Sequence, residues 1–90
     1  MEFEWDETKR QSNLAKHGID FRIARRLFDG RPVVTLRSPY PDEERYLTTG
    51  ISEDVIVTVI WTRRDTAIRI ISARRARNGE QRAYLSLHGR

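Results

Sequence analysis

The sequence lacks cysteine, so it has no disulfide framework and no thiolate chemistry. It contains two histidines, His17 and His88, which are too far apart to form a ligand pair at metal-binding spacing. The longest apolar run, residues 55–61, falls well short of the ~20 residues of a membrane helix. The acidic start, residues 1–6, does not resemble a signal peptide. These absences predict a cytoplasmic protein without a metal or cofactor, whose chemistry must come from Lys, Arg, Glu, Tyr or His.

The length and charge of the chain limit what it can bind. Ninety residues predict a single domain, residues 1–90, with a small core. Seventeen Lys and Arg residues against 13 Asp and Glu residues give a formal charge of +4, which favours a polyanion or an acidic partner. Arginine predominates over lysine, and its planar fork is the better ligand for phosphate.

The apolar pattern predicts two N-terminal helices. The first covers residues 8–16, with Asp6 as its N-cap and Gly18 as its stop signal. The second begins after Asp20 and runs through Phe28, because its apolar residues recur at helical spacing.

Strand-like segments dominate the rest of the chain. A short edge strand is predicted at residues 2–5, and an antiparallel meander of about four strands at residues 33–36, 45–50, 55–62 and 66–73. The segment 55–62 is apolar on both faces and is therefore the central strand. A short helix at 80–87 closes the chain. The result is an α+β domain with helices on one sheet face and the other face, or one sheet end, open for a ligand.

A basic cluster at the end of the last strand is the strongest candidate site. The strand carries Arg69 and ends in the basic cluster Arg74, Arg75 and Arg77, and Glu80 and Tyr84 follow it. Phosphate-binding groups beside a proton-transfer group are what an RNA-cleaving site without metal requires. On a regular strand, however, Arg69 and Arg75 share one face and Arg74 points to the other. All three can face one site only if the strand ends near residue 73.

Each member of this cluster also has a plain structural interpretation. The arginines would then be a solvated strand edge paired with acids. Glu80 would cap the last helix, and neighbouring arginines would lower its pKa and make it a weak base. Tyr84 either stacks on a base or packs into the core.

One face of the first helix is polar and basic. Lys9, Asn13, Lys16 and His17 follow helical spacing along it. This face either lines an RNA groove or is simply solvated. His17 stands at the helix C-terminus, where the macrodipole favours the protonated form, so it is either an acid or phosphate contact or a C-cap.

Aromatic and cationic residues alternate around a proline-containing loop. Tyr40 and Tyr46 stand near Arg37 and Arg45, an interleaving that suits single-stranded RNA but also ordinary cross-strand pairing. The acidic run 42–44 in the same loop is predicted to be solvated. Trp5 and Trp61 are assigned to the core.

Two segments of the chain resemble the signatures of the BrnT toxin family. The N-terminal one consists of Phe3-Glu4-Trp5-Asp6, Lys9, Ser12-Asn13, Lys16-His17-Gly18, Phe21, Ala24 and Phe28-Asp29. The C-terminal one consists of Arg69-Ile70-Ile71-Ser72-Ala73-Arg74, Ala76, Glu80-Gln81-Arg82 and Tyr84. The resemblance implies a bacterial type II toxin with a RelE-like fold, a small ribonuclease that arrests translation.

The resemblance also implies partners and roles. The partner is a BrnA-like antitoxin, RNA is the substrate, and operator DNA is contacted only through the antitoxin. Combined with the residue patterns above, it assigns catalysis to Arg69, Arg74, Glu80 and His17. RNA binding is assigned to Lys9, Asn13, Lys16, Arg45, Arg75 and Tyr84. Cleavage is expected to proceed without metal, by attack of the ribose 2′-hydroxyl, leaving a 2′,3′-cyclic phosphate.

Two other functions fit the same sequence. One is a basic module that holds RNA or a protein partner without cutting. The other is a DNA-binding co-repressor subunit, although no helix-turn-helix spacing is evident because the second helix buries its apolar residues. For the antitoxin interface, Tyr40 and Leu47 are the predicted contacts.

Overall fold

The described part of the chain, residues 1–39 and 44–89 of a computed structural model, forms five strands and three α-helices. The strands are β1 (Glu2–Glu4), β2 (Val33–Arg37), β3 (Tyr46–Ser52), β4 (Val55–Arg64) and β5 (Ala67–Arg75). The helices are α1 (Glu7–His17), α2 (Phe21–Ala24) and α3 (Asn78–His88), with a 3₁₀ helix at Arg25–Phe28. The predicted α+β class is confirmed.

The strands form one mixed sheet in the order β1-β5-β4-β3-β2. Strands β2 to β5 are the predicted antiparallel meander. The predicted edge strand pairs in parallel with β5, with Phe3 opposite Ile68. β4 is the central strand, as predicted, with Val59 buried on one face and Thr58 on the other.

Side-chain and glycine caps fix the N-terminal helices. The Asp6 carboxylate accepts a hydrogen bond from the Lys9 backbone N–H, and the Asp20 carboxylate accepts one from that of Arg22. Gly18, at φ 73°, ends α1 in the left-handed conformation that glycine tolerates. The prediction of one continuous helix through residue 28 is wrong. The α-helix stops at Ala24 and tightens into the 3₁₀ helix, a common way for a helix to end.

The core lies between the sheet and the segment that contains α2 and the 3₁₀ helix. Phe21 and Leu27 pack there against Val57, Val59 and Trp61 of the central strand. Trp61 is buried, as predicted, and its indole N–H donates to the Thr48 hydroxyl at 2.8 Å. This sheet face is called the helix-covered face below.

Helix α3 lies on the other face, so the prediction that all helices share one face is wrong. The side chain of Thr58 points away from the core, and its hydroxyl donates to Glu80 of α3 at 3.0 Å. The Ala76 backbone N–H donates to the Ile56 carbonyl at 3.0 Å, which keeps the chain at this sheet end as it turns into α3. Helix α3 packs near β2 and β3, and the part of this face around Leu47, Ile60 and Ser72 borders a groove. We call this sheet face the open face.

Candidate nucleic-acid interface

A β-bulge in β5 sets which arginines share a face. Trp61 of β4 lies opposite Ile70 and Ile60 lies opposite Ser72, so Ile71 is the extra residue. The extra residue reverses the alternation of side chains beyond it. Arg69 and Arg74, which a regular strand would place on opposite faces, therefore both lie on the open face, and Arg75 lies on the helix-covered face. The expectation from simple strand parity is corrected by this bulge.

Arg74 is held by Glu80 in a two-pronged ion pair. The Arg74 Nη1 donates to Glu80 Oε1 at 2.7 Å and Nη2 donates to Oε2 at 2.9 Å. The two side chains are 14% and 18% exposed, so the pair is largely shielded from water. Such a fork-to-fork pair fixes the plane of the guanidinium, and Nη1 also donates to the Arg75 carbonyl at 3.3 Å.

Glu80 also accepts hydrogen bonds from two neutral donors. The Arg77 backbone N–H donates at 2.8 Å and the Thr58 hydroxyl at 3.0 Å, and Thr58 is itself 2.7 Å from the Thr49 hydroxyl. The Arg74 side chain is the main reason that the pKa of Glu80 falls from its ordinary 4.5 to about 2, against the opposing effect of burial. Glu80 is therefore a carboxylate at neutral pH, and its basicity is very weak.

Beside Arg74 the open face forms a groove of about 330 Å³, which we call the open-face groove. Its apolar floor comes from three adjacent strands, with Leu47 on β3, Ile60 on β4 and Ile71 on β5, and its cations come from β5 and from the segments just before β3 and α3. Its lining residues are Ser38, Arg45, Leu47, Ile60, Ile71, Ser72, Arg74 and Arg77. The groove thus brings together predicted Arg45 and Arg74, and it adds Arg77, which belongs to the basic cluster but was given no role.

Arg69 shares the open face but does not line the groove. Its Nη1 donates to the Glu4 carboxylate at 2.8 Å, and Arg64 lies 3.7 Å from the same carboxylate. This ion pair ties β5 to β1 at the corner of the sheet. The structure therefore separates Arg69 from Arg74, although both were predicted to be catalytic.

The basic face of α1 borders a second groove, of about 190 Å³, which we call the α1 groove. Lys9, Lys16 and His17 line it on the helix side. Ile71 and Ser72 line it on the strand side, and the same two residues also line the open-face groove. The two grooves therefore meet at the bulge in β5.

Asn13 also borders the α1 groove, but all the hydrogen-bonding capacity of its amide is used internally. Its Nδ2 donates to the carbonyls of Ile19 at 3.0 Å and Ala73 at 2.7 Å. Its Oδ1 accepts from the Ser72 hydroxyl at 3.0 Å and the Ala73 backbone N–H at 3.3 Å. The side chain thus pairs with β5 just beyond the three residues of β1, in the way a further strand residue would. Helical spacing could not show this, because the contact joins residues 60 positions apart.

Two predicted RNA contacts lie elsewhere. Arg75 is exposed and borders a cavity on the helix-covered face. Tyr84 is 6% exposed, with its ring 5.3 Å from that of His88. This burial matches the packing alternative for Tyr84. RNA contact by either residue stays a prediction.

The aromatic and acidic residues of the proline-containing loop are only partly described. Tyr40 and residues 41–43 lie outside the described residues. Tyr46 stacks on Trp61, with ring centroids 4.7 Å apart, on the helix-covered face. Arg37 lies 3.7 Å from Glu44, and both side chains are exposed.

Among the residues that the structure describes, no three His, Asp or Glu side chains come together in an arrangement that could hold a metal ion. None of the described helices is long and apolar enough to span a membrane.

Comparison with known proteins places the whole arrangement in a family. Residues 5–80 match the family model described as the ribonuclease toxin BrnT of a type II toxin–antitoxin system. A comparison with curated proteins found none that matches the chain. The match covers most of the sequence, from Trp5 through the Arg74–Glu80 pair. The chain therefore belongs to the BrnT family of ribonuclease toxins, whose type II systems pair each toxin with a protein antitoxin.

Proposed function

We propose that the protein is an endoribonuclease that binds single-stranded RNA in the open-face groove and cleaves it without a metal ion. The family match supports the ribonuclease class, and the groove supplies a place for the substrate. The apolar floor suits unstacked bases and the surrounding arginines suit the phosphates. Cleavage of cellular RNA in this way would inhibit translation in the cytoplasm.

The Arg74–Glu80 pair is the observation that carries this proposal. Attack by a 2′-hydroxyl builds negative charge on the phosphorane, and preorganised donors at that point lower the barrier most effectively. Arg74 is already fixed by two hydrogen bonds of 2.7 and 2.9 Å. It therefore needs little reorganisation to meet that charge. Arg45 and Arg77 line the same groove and would hold neighbouring phosphates.

Proton transfer in this scheme does not rely on Glu80. A carboxylate with a pKa of about 2 accepts a proton too poorly to activate a hydroxyl near neutrality. We assign Glu80 the positioning of Arg74 instead of the role of base. Alignment of the 2′-hydroxyl with the phosphate supplies much of the acceleration. His17, in the adjoining α1 groove, is the proposed proton donor to the leaving 5′-oxygen.

A non-catalytic RNA- or partner-binding module is the second candidate. The observation in its favour is the composition of the open-face groove, whose described lining contains arginines, serines and aliphatic residues but no group that titrates near neutral pH. Such a module would bind RNA in a salt-sensitive manner and create no new RNA ends.

The deciding experiment incubates the antitoxin-free chain with RNA in the presence of a chelator and maps the ends. We expect 2′,3′-cyclic phosphates, and we expect Arg74→Ala to reduce cleavage by at least about tenfold, as loss of a charge-stabilising donor does. Arg63→Ala is the matched control, because it removes the same charge from an exposed position on the other sheet face. Intact RNA from folded wild-type protein, both alone and with ribosomes, would refute the proposal.

The antitoxin is proposed to be a BrnA-like DNA-binding protein that covers the open-face groove, with operator DNA contacted through it alone. Leu47 lines that groove beside Arg45 and Arg74, so an acidic and apolar segment would match its chemistry. Protection of RNA from cleavage by the assembled complex is the corresponding measurement.

A further inference from the structure

A third depression, a cavity of about 210 Å³, lies on the helix-covered face where the end of α1, the end of α2 and the β3–β4 turn meet. Its volume is several times the ~30 Å³ that one water molecule occupies in the liquid. Aliphatic side chains form most of its walls: Ile19, Ile23, Ala24, Val55 and Val57. Its polar lining comes from His17, Ser52, Glu53 and Arg75.

The hydroxyl of Ser52 is the unusual feature of this cavity. Ser52 is 4% exposed, and its Oγ has no hydrogen-bond partner among the described residues. The buried threonines Thr48, Thr49 and Thr58 all have partners for their hydroxyls. An unpaired buried hydroxyl is costly and therefore uncommon in native proteins. Ser52 lies opposite Val55 on the face that carries the cavity, and the residue lines it, but the hydroxyl itself is shielded in this conformation. A rotation of the side chain about its Cα–Cβ bond would therefore be needed to present the hydroxyl to a group that enters the cavity.

The cavity adjoins the two grooves already described. It shares His17 with the α1 groove, and the α1 groove shares Ile71 and Ser72 with the open-face groove. Neighbouring depressions therefore share lining residues, and we call the succession of the three, from the open face to the helix-covered face, the path. Basic side chains mark its length, with Arg74 at one end, Lys16 between, and Arg75 at the other. A path of this kind suits a single strand of nucleic acid, whose phosphates follow the cations.

We propose that the cavity receives one nucleobase of the bound RNA, at a position beyond the nucleotides in the open-face groove; this inference rests on the proposed RNA-cleaving function. A base has apolar faces that match the aliphatic walls, and an edge whose donors and acceptors match a hydroxyl. Arg75 is exposed at the same cavity and meets the adjoining phosphate. Glu53 carries the opposing charge there, and Arg26 lies 3.7 Å from its carboxylate.

The test measures whether the Ser52 hydroxyl and a single base of the RNA contribute to binding through the same contact. Binding is measured with a 2′-O-methyl oligonucleotide, which cannot be cleaved by 2′-hydroxyl attack, and with versions that carry one abasic position each. For the wild type we expect one abasic position, outside the cleaved dinucleotide, to weaken binding by roughly three- to tenfold, the size of a lost hydrogen bond and its contacts. Ser52→Ala should bind the intact RNA more weakly than the wild type by a similar factor. With the RNA that lacks this base, the two proteins should bind with nearly equal affinity.

Three controls separate the possible explanations. Ser52→Thr keeps the hydroxyl and should retain most of the affinity. Ser86→Ala makes the same chemical change at an exposed site on α3 and should bind like the wild type. Thermal unfolding should show free Ser52→Ala to be as stable as the wild type or more so, because the hydroxyl it loses is unpaired.

The outcomes distinguish this inference from the proposed function. If the wild type cleaves RNA but no abasic position is coupled to Ser52, the base site is refuted and the function stands. If Ser52→Ala weakens only the antitoxin complex, the cavity serves the protein partner and the base site is again refuted. If the wild type neither binds nor cleaves RNA, both fail.

Discussion

Glu80→Gln tests how the protein holds its principal phosphate-binding candidate. The substitution keeps the shape of the side chain but removes the charge that pairs with Arg74. A pKa lowered from 4.5 to about 2 corresponds, at 1.36 kcal/mol per pKa unit, to a contribution of about 3 kcal/mol to the free energy of unfolding. Because the pair retains some exposure to water, we expect a loss of roughly 2 kcal/mol at pH 7. In a domain of this size, that loss lowers Tm by roughly 10 °C.

The pH dependence of this loss follows from the direction of the pKa shift. A carboxyl whose folded pKa is depressed stabilises the native state fully above its unfolded pKa of about 4.5 and stops doing so as the pH falls towards 2. The difference in unfolding free energy between wild type and Glu80→Gln should therefore be constant from pH 7 to about 5.5. It should then shrink as the pH is lowered to 3. Urea unfolding monitored by circular dichroism at several pH values measures it.

The matched control is Glu53→Gln. Glu53 lies 3.7 Å from Arg26, but the two side chains are 66% and 55% exposed, so this surface pair should contribute less than about 0.5 kcal/mol. If Glu80→Gln costs no more than Glu53→Gln, or if its cost is unchanged at pH 3, the reasoning about the Arg74–Glu80 pair is wrong. RNA cleavage should fall less in Glu80→Gln than in Arg74→Ala, because Arg74 remains present but is held less firmly.

Two further substitutions address the α1 groove. Asn13→Ala removes four hydrogen bonds and leaves the Ala73 backbone N–H and C=O unpaired at the edge of β5. It should therefore lower the free energy of unfolding, measured in urea, by about 2–4 kcal/mol. A smaller loss of stability together with weakened RNA binding would instead favour a direct contact of Asn13 with RNA. Lys16→Ala should keep the free energy of unfolding within about 0.5 kcal/mol of the wild-type value but weaken RNA binding. If Lys16 neutralises one phosphate of a single strand, the slope of the logarithm of the RNA-binding constant against the logarithm of the salt concentration should fall in magnitude by about 0.7. A slope equal to that of the control Arg63→Ala would place Lys16 outside the RNA path.

Much of this protein follows from local sequence signals. Asp6, Gly18 and Asp20 act within a few residues of themselves, so the N-caps of α1 and α2 and the end of α1 were predictable. The apolar character of both faces of segment 55–62 likewise identified the central strand. The likeness of two segments to BrnT signatures predicted the family, and the match over residues 5–80 confirmed it. The basic cluster at residues 74–77 and its nearness to Glu80 were also visible in the sequence.

The tertiary structure alone decided how these residues are divided among faces. The bulge at Ile71 placed Arg69 on the same face as Arg74 instead of Arg75, and a bulge depends on the pairing of two strands, which one strand's sequence does not reveal. The burial of Asn13 against Ala73 and the unpaired hydroxyl of Ser52 likewise depend on contacts between residues distant in the chain. Local sequence determined which elements form and which charges they carry. Long-range packing determined which side chains meet, because a side chain's neighbours are fixed only when the sheet closes around them.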